Sequence, residues 1–169
     1  MHPAAKIMGL VAATAVSGVT LLPMGLSYAA SGEEVIKARV NFMKDEMERH
    51  WKPLAAFASK GVGSLADVEK NAGALVKLAE KIPAHFPKDT GRGKYPDKLT
   101  RALPLIWEDW DGFKKDNQRL AQESEKLAGL AKEGNKDAVI ELIGTSGSYN
   151  RTKIGCAECH KNFRGAAAK

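Results

Sequence analysis

Close to its C-terminus this 169-residue chain carries Cys156-Ala-Glu-Cys159-His160, and these two cysteines are its only ones. A Cys-x-x-Cys-His run is an attachment sequence for c-type haem: the two thiols add across two vinyl groups and the adjoining imidazole binds iron from one side. At about 100° per residue, a helix sets Cys159 about 60° to one side of Cys156 and His160 about 40° to the other. The three groups then share one face, with Phe163 inside the same arc and Arg164 at its edge, while Ala157 and Glu158 point away. That spacing suits a flat, covalently held macrocycle.

Two other chemistries use a Cys-x-x-Cys pair. Structural zinc needs further ligands, and the remaining histidines, His2, His50 and His85, stand at no ligand spacing. A thiol-disulfide exchange site fits the spacing, but it usually opens a helix after a strand, and no strand pattern precedes Cys156. A histidine directly after the second cysteine is superfluous to that chemistry and necessary for haem iron.

In bacteria haem is attached to such sequences outside the cytoplasm, so an export signal is expected. His2 and Lys6 form a weakly positive start, the segment from Ile7 to Leu22 is apolar and rich in small residues, and Ser27-Tyr28-Ala29 offers a peptidase site. The reading is a cleaved signal peptide over 1–29, a mature domain over 30–169, and a periplasmic location. The alternative, a retained anchor, is weakened by an apolar run shorter than the ~20 residues that span a membrane, broken by Pro23 and Gly25. No stable membrane insertion is expected after cleavage.

About 140 residues then remain, the length of one domain. The whole chain has 26 basic and 20 acidic residues; residues 1–29 remove Lys6 and no acid, leaving a net charge of about +5. The basic residues are interleaved with acids and lack an aromatic-basic motif, which argues against nucleic acid. The charge is compatible with an acidic partner protein or an anionic membrane surface nearby, and requires neither.

The dominant period of the mature chain is helical. With Arg39 as zero, Ile36, Met43, Met47, His50, Leu54 and Phe57 fall between about 0° and 80°, and Pro53 is expected to end or kink this first helix near Lys52. A second helix opens on a capping Ser64 and repeats Leu65, Val68, Ala72, Leu75, Leu78, Ala79 and Ile82 until Pro83. From there to Pro104 four prolines and two glycines make a long crossover. Its Lys88, Arg92, Lys94, Lys98 and Arg101 would serve a carboxylate-bearing partner or simply keep the loop soluble. A third helix is expected from Leu105 to about Lys132, ended by Gly134 and Asn135, followed by a short run from Asp137 to Ile143. A last helix approaches Cys156 and ends near Arg164. The fold expected is all-α, an antiparallel four-helix bundle with haem held near the C-terminus.

Taken together, Ile36-Lys-Ala-Arg39 with Met43 one turn later, Phe86-Pro87, Ile106-Trp107 to Phe113, and Cys156 to Arg164 resemble the class II c-type cytochromes, the cytochrome c′ family with its low-spin members. A class I cytochrome c carries its attachment sequence near the start instead. The resemblance implies one covalent haem c, with Cys156 and Cys159 as thioether anchors and His160 as the proximal iron ligand. It implies that Arg39 approaches a haem propionate and that Arg164 tunes the imidazole, while Phe163 and Trp107 pack. Met43 stands where family members cover the open haem face. With its sulfur on iron the site is six-coordinate and low-spin, an electron carrier passing between Fe(II) and Fe(III). With Met43 only packing, the iron is five-coordinate and admits nitric oxide or carbon monoxide. Redox partner proteins, small gaseous ligands and a homodimer through the first two helices follow as implied partners, and no enzymatic activity is expected. The stretch from Gly144 to Gly155 is longer and richer in glycine and serine than the family pattern, which bears on the continuity of the fourth helix.

Overall fold

The computed structural model describes residues 31–148 and 152–168. The signal segment expected at 1–29 lies outside the described residues. Among those described, the regular structure is helical, joined by two isolated bridges, Arg92 with Tyr95 and Ala102 with Arg164.

The first bundle helix begins at a capping box. The Ser31 hydroxyl accepts from the Glu34 N–H at 3.3 Å, and the Glu34 carboxylate accepts from the Ser31 N–H at 2.6 Å. From there α1 (Gly32–Asn41), a π-helical turn (Phe42–Met47) and α2 (Glu48–Lys60) run on without a break. Of the end or kink expected near Lys52, the end does not occur. Pro53 lies inside α2, which continues to Lys60 and is closed by Gly61 at φ 67°. An interior proline costs about 3 kcal/mol, but Trp51, Leu54, Ala55, Phe57 and Ala58 are buried on either side of it. Each large apolar side chain among them contributes roughly 1.5–3 kcal/mol.

The π turn resets the register of this long helix. Continued at 100° per residue, the buried stripe of α2 would be centred about 90° away from that of α1, formed by Ile36, Arg39 and Phe42. A π turn holds one residue more than an α turn and takes back about 100°. The two stripes then face the same core. This is why Phe42 and Trp51 are buried while Met43 and His50, placed on the stripe by uninterrupted periodicity, are only partly so.

Ser64 and Asp67 form a second capping box at the start of α3 (Leu65–Ala79). That helix ends three residues before Ile82, which opens a separate 3-10 turn, Ile82–His85, with Pro83 in its first positions. After the crossover the third helix is not continuous from Leu105. The structure has α4 (Leu105–Glu108), a break at Asp109 (φ −122°, ψ 62°), then α5 (Trp110–Lys132). The Asp109 carboxylate accepts from the Gly112 N–H at 3.0 Å, so a side chain able to cap starts a fresh helix where periodicity alone would run through.

Asn135 caps α6 (Lys136–Ile143), and Gly144 at φ 80° ends it. The short run expected from Asp137 to Ile143 is thus a helix of its own, and the last helix is α7 (Cys156–Phe163). Ahead of α7 the chain is held by buried Thr152 and Ile154. The core gathers where α5 packs along α3, with α2 against α3 and α6, and α7 lying on α5 and α4. The architecture is that of a four-helix bundle.

Candidate haem site

All three residues of the attachment sequence fall on α7, with Phe163 as its last residue and Arg164 leaving in extended conformation (φ −119°, ψ 116°). Cys156, Cys159 and His160 are half-buried, and both cysteines pack against the core. The helix starts hard against α5. A Cβ on Gly155, the residue before Cys156, would lie 2.6 Å from the Leu120 nitrogen and 2.9 Å from its Cα. Glycine is the residue that permits this approach, a requirement that the motif itself did not signal.

Burial pushes the Cys156 thiol up to about 12, and the Glu123 carboxylate adds to it. Cys159 rises to about 12 for the same first reason, helped by Asp116 and by Cys156. Thiols so held are neutral near pH 7, the opposite of the thiolate that a thiol-exchange nucleophile needs. Burial also lowers His160 to about 4, with the Arg164 and Arg101 charges adding to the effect. Its imidazole is neutral, the form that binds a metal. Among the described residues no cluster of three His, Cys, Asp or Glu side chains stands ready to hold a metal ion alone. Two neutral thiols and one neutral imidazole on a single half-buried face fit a group that brings its remaining iron ligands with it, as a porphyrin does.

Phe163 stands edge-on to Phe113 at 5.4 Å and 89°, and Phe113 touches Phe86 at 4.9 Å. Trp107 donates its indole N–H to the Phe86 carbonyl at 3.0 Å, and a Cβ on Gly91 would run into its ring. Both Phe163 and Trp107 are thus packing residues. Arg39 is 4% exposed, with its guanidinium carbon 4.8 Å from the Phe86 ring centroid. Its fork is committed to the crossover: it donates to Thr90, Thr100 and the His85 carbonyl. The aromatic chain from Phe86 through Phe113 to Phe163 links this arginine on α1 to the end of α7. Met43 lies on the π turn, half-buried, beside Phe42, whose ring stacks on His85 at 4.1 Å.

A family model described as Cytochrome C' matches residues 34–164. The chain belongs to the cytochrome c′ family. Similar relatives include the cytochrome c′ of Rhodopseudomonas palustris, 31% identical over 146 residues covering 85% of this chain and 90% of that one. Another is the cytochrome c′ of Pararhodospirillum photometricum, 29% identical over 136 residues covering 80% and 99%. A solved cytochrome c′ from Rhodopseudomonas palustris superposes with a TM-score of 0.61 at 34% identity, covering 79% of this chain and 98% of its own. This protein is a c-type haem protein whose cofactor is covalently attached haem c.

Proposed function

We propose that this cytochrome c′ family member carries single electrons in the periplasm, with His160 as proximal ligand and Met43 as sixth ligand. The haem iron, once attached, supplies the one-electron change between Fe(II) and Fe(III). The reading rests on the half-buried face of α7 where Cys156, Cys159 and His160 stand together with neutral thiols and a neutral imidazole. Cys156 and Cys159 anchor the group, and Arg164 stations a cation beside the imidazole. Support for Met43 comes from its neighbours: Phe42 and Met47 supply the buried contacts of the π turn, which leaves the Met43 thioether at the margin of the core. A thioether ligand stabilises the reduced metal.

A second reading has one observation in its favour. Met43 does touch the hydrophobic core, and a sulfur that stays there leaves the iron's far side open to nitric oxide or carbon monoxide. Neither role calls for a general acid or a nucleophile, and we propose no enzymatic activity. The partners proposed are a redox protein bearing carboxylates, drawn to the exposed Lys88, Lys94 and Lys98, and a second copy of the chain.

Adding carbon monoxide to the reduced holoprotein tests the assignment. A low-spin spectrum with slow or partial binding is the expected result for an electron carrier. A high-spin spectrum with fast stoichiometric binding overturns the Met43 ligand and establishes the gas-binding role.

A further inference from the structure

The chain that leaves α7 is stitched to the crossover. The Leu103 N–H donates to the Phe163 carbonyl at 3.1 Å, the Gly165 N–H donates to the Arg101 carbonyl at 2.8 Å, and Ala102 bridges Arg164 antiparallel. Side chains reinforce the seam. The Arg101 Nε donates to the Gly165 carbonyl at 2.7 Å, so Arg101 holds Gly165 by both of its backbone groups. Arg92 donates from Nη2 to the Ala166 carbonyl and from Nε to the Thr100 carbonyl at 3.2 Å. A Cβ on Gly165 would collide with the Arg92 guanidinium and come within 3.1 Å of a Leu103 methyl. A larger residue there would have to displace the Arg92 guanidinium from the seam.

We propose that Arg101 is a positioning residue for the proximal imidazole: its two-point hold on Gly165 fixes the end of α7 that presents His160, and its guanidinium adds a cation on that side. The inference rests on the reading of His160 as proximal ligand. An eight-residue helix on α5 and α4 has little hold of its own on the angle at which His160 meets iron. Its start is set by Gly155 against α5, and its end is set by the seam. The cation has a second consequence. Positive charge near the iron disfavours the more positive ferric state, so Arg101 raises the reduction potential.

The experiment uses the holoprotein and three variants: Arg101→Gln, Arg101→Lys, and Lys98→Gln as a control for charge loss at an exposed point of the same crossover. Readouts are the midpoint potential and the hyperfine-shifted proton resonances of the His160 imidazole, which report its orientation on iron. Arg101→Gln is expected to lower the potential more than Lys98→Gln does and to move the imidazole resonances. Arg101→Lys, which keeps the charge and loses the planar fork, is expected to hold the potential nearer the original while still moving the resonances. Unmoved resonances in both Arg101 variants, or a potential shift in Lys98→Gln as large as in Arg101→Gln, overturn the proposal. Should Arg101→Gln fail to fold, Arg101→Lys decides alone, and unmoved resonances again overturn it. A parent protein with no His160 resonance shifted by iron would instead refute the proximal-ligand reading, a failure visible before any variant is made.

Discussion

The guanidinium of Arg39 donates both to the hydroxyl of Thr90, at 2.9 Å, and to its carbonyl, at 2.7 Å, across 51 positions of sequence. The same fork reaches the Thr100 hydroxyl at 2.8 Å and the His85 carbonyl at 3.4 Å. One charged residue of α1 therefore fastens both halves of a crossover that has little regular structure to hold itself. Burial lowers the Arg39 pKa to about 10, still far enough above neutrality to keep it charged. A buried charge is tolerated when its hydrogen bonds are met in this way.

Removing that fork takes the donor from the buried Thr90 hydroxyl and carbonyl and from the part-buried His85 carbonyl, while the Thr100 hydroxyl still accepts from the Ala102 N–H. Each acceptor so deprived costs about 1–3 kcal/mol, so Arg39→Ala in the holoprotein is expected to lose about 3 kcal/mol or more of stability, read from the denaturant midpoint. Arg39→Lys recovers only part, because an ammonium cannot span Thr90 and Thr100 with a planar fork. A loss under about 0.5 kcal/mol, the range of ordinary surface changes, would remove Arg39 from this role.

The long first helix shows where periodicity stops being informative. Ile36, Arg39, Leu54 and Phe57 were legible as its inward face, yet Phe42 and Trp51 were not, because the π turn between them changes the angle per residue. No residue type announces such a turn. The break at Asp109 was concealed by the continuing apolar pattern, although an aspartate three residues before Gly112 is a capping signal. At the site, Cys156, Cys159 and His160 were legible from chemistry alone. The partners that fix them were not: Thr90 and Thr100 for Arg39, Arg92 and Arg101 for the chain after α7, and Gly155 for its start are all contacts of long sequence separation.

If the π turn aligns the two faces, deleting one residue from it should misalign them. Lys44 is exposed within the turn, so its removal takes away no packing of its own. The deletion is expected to rotate α2 by about 100° and cost at least about 3 kcal/mol through lost burial. Lys44→Ala, which keeps the register, should stay within about 0.5 kcal/mol. Chemical denaturation of the two proteins decides, and equal stability would show that the turn has no aligning role.

Met43 can be tested so that ligation is separated from packing. Met43→Leu nearly conserves volume and should cost less than about 1.5 kcal/mol, but it carries no donor sulfur. The expected result is a change from low-spin to high-spin absorption with the fold intact by circular dichroism. An unchanged spectrum in Met43→Leu would remove this side chain from the iron.

The two capping boxes predict an acid-dependent stability. The Ser64 hydroxyl and N–H donate to the Asp67 carboxylate at 2.7 and 2.9 Å, which holds its pKa below the ordinary 3.8; Ser31 does the same for Glu34 through its N–H first and its hydroxyl second. A folded-state pKa below the unfolded one means that the unfolded chain binds more protons in the window between them, so stability rises with pH there. The contribution is complete above the ordinary carboxylate values and disappears as pH falls through the folded ones. Asp67→Ala should therefore be less stable than the parent at pH 6, and the gap should close on acidification below pH 3.8. A gap that stays constant down to that range would separate the box from stability.

Gly155 offers the most direct test of how the site is seated. The clash predicted for Gly155→Ala is with the Leu120 nitrogen and Cα, which are backbone atoms inside α5 and cannot swing aside as a side chain would. Either α7 moves away from α5 or α5 bends, and overpacking of this kind typically costs about 1–3 kcal/mol. The displacement falls on the residue next to Cys156, so the variant should also carry less haem per chain when made in a host competent for cytochrome assembly, measured as the alkaline pyridine spectrum against protein concentration. Leu120→Ala, which trims the same neighbour beyond Cβ but leaves its backbone in place, should not rescue it. Rescue by that second change would mean that the side chain of Leu120, and not the close approach of two backbones, dictates where the attachment helix begins.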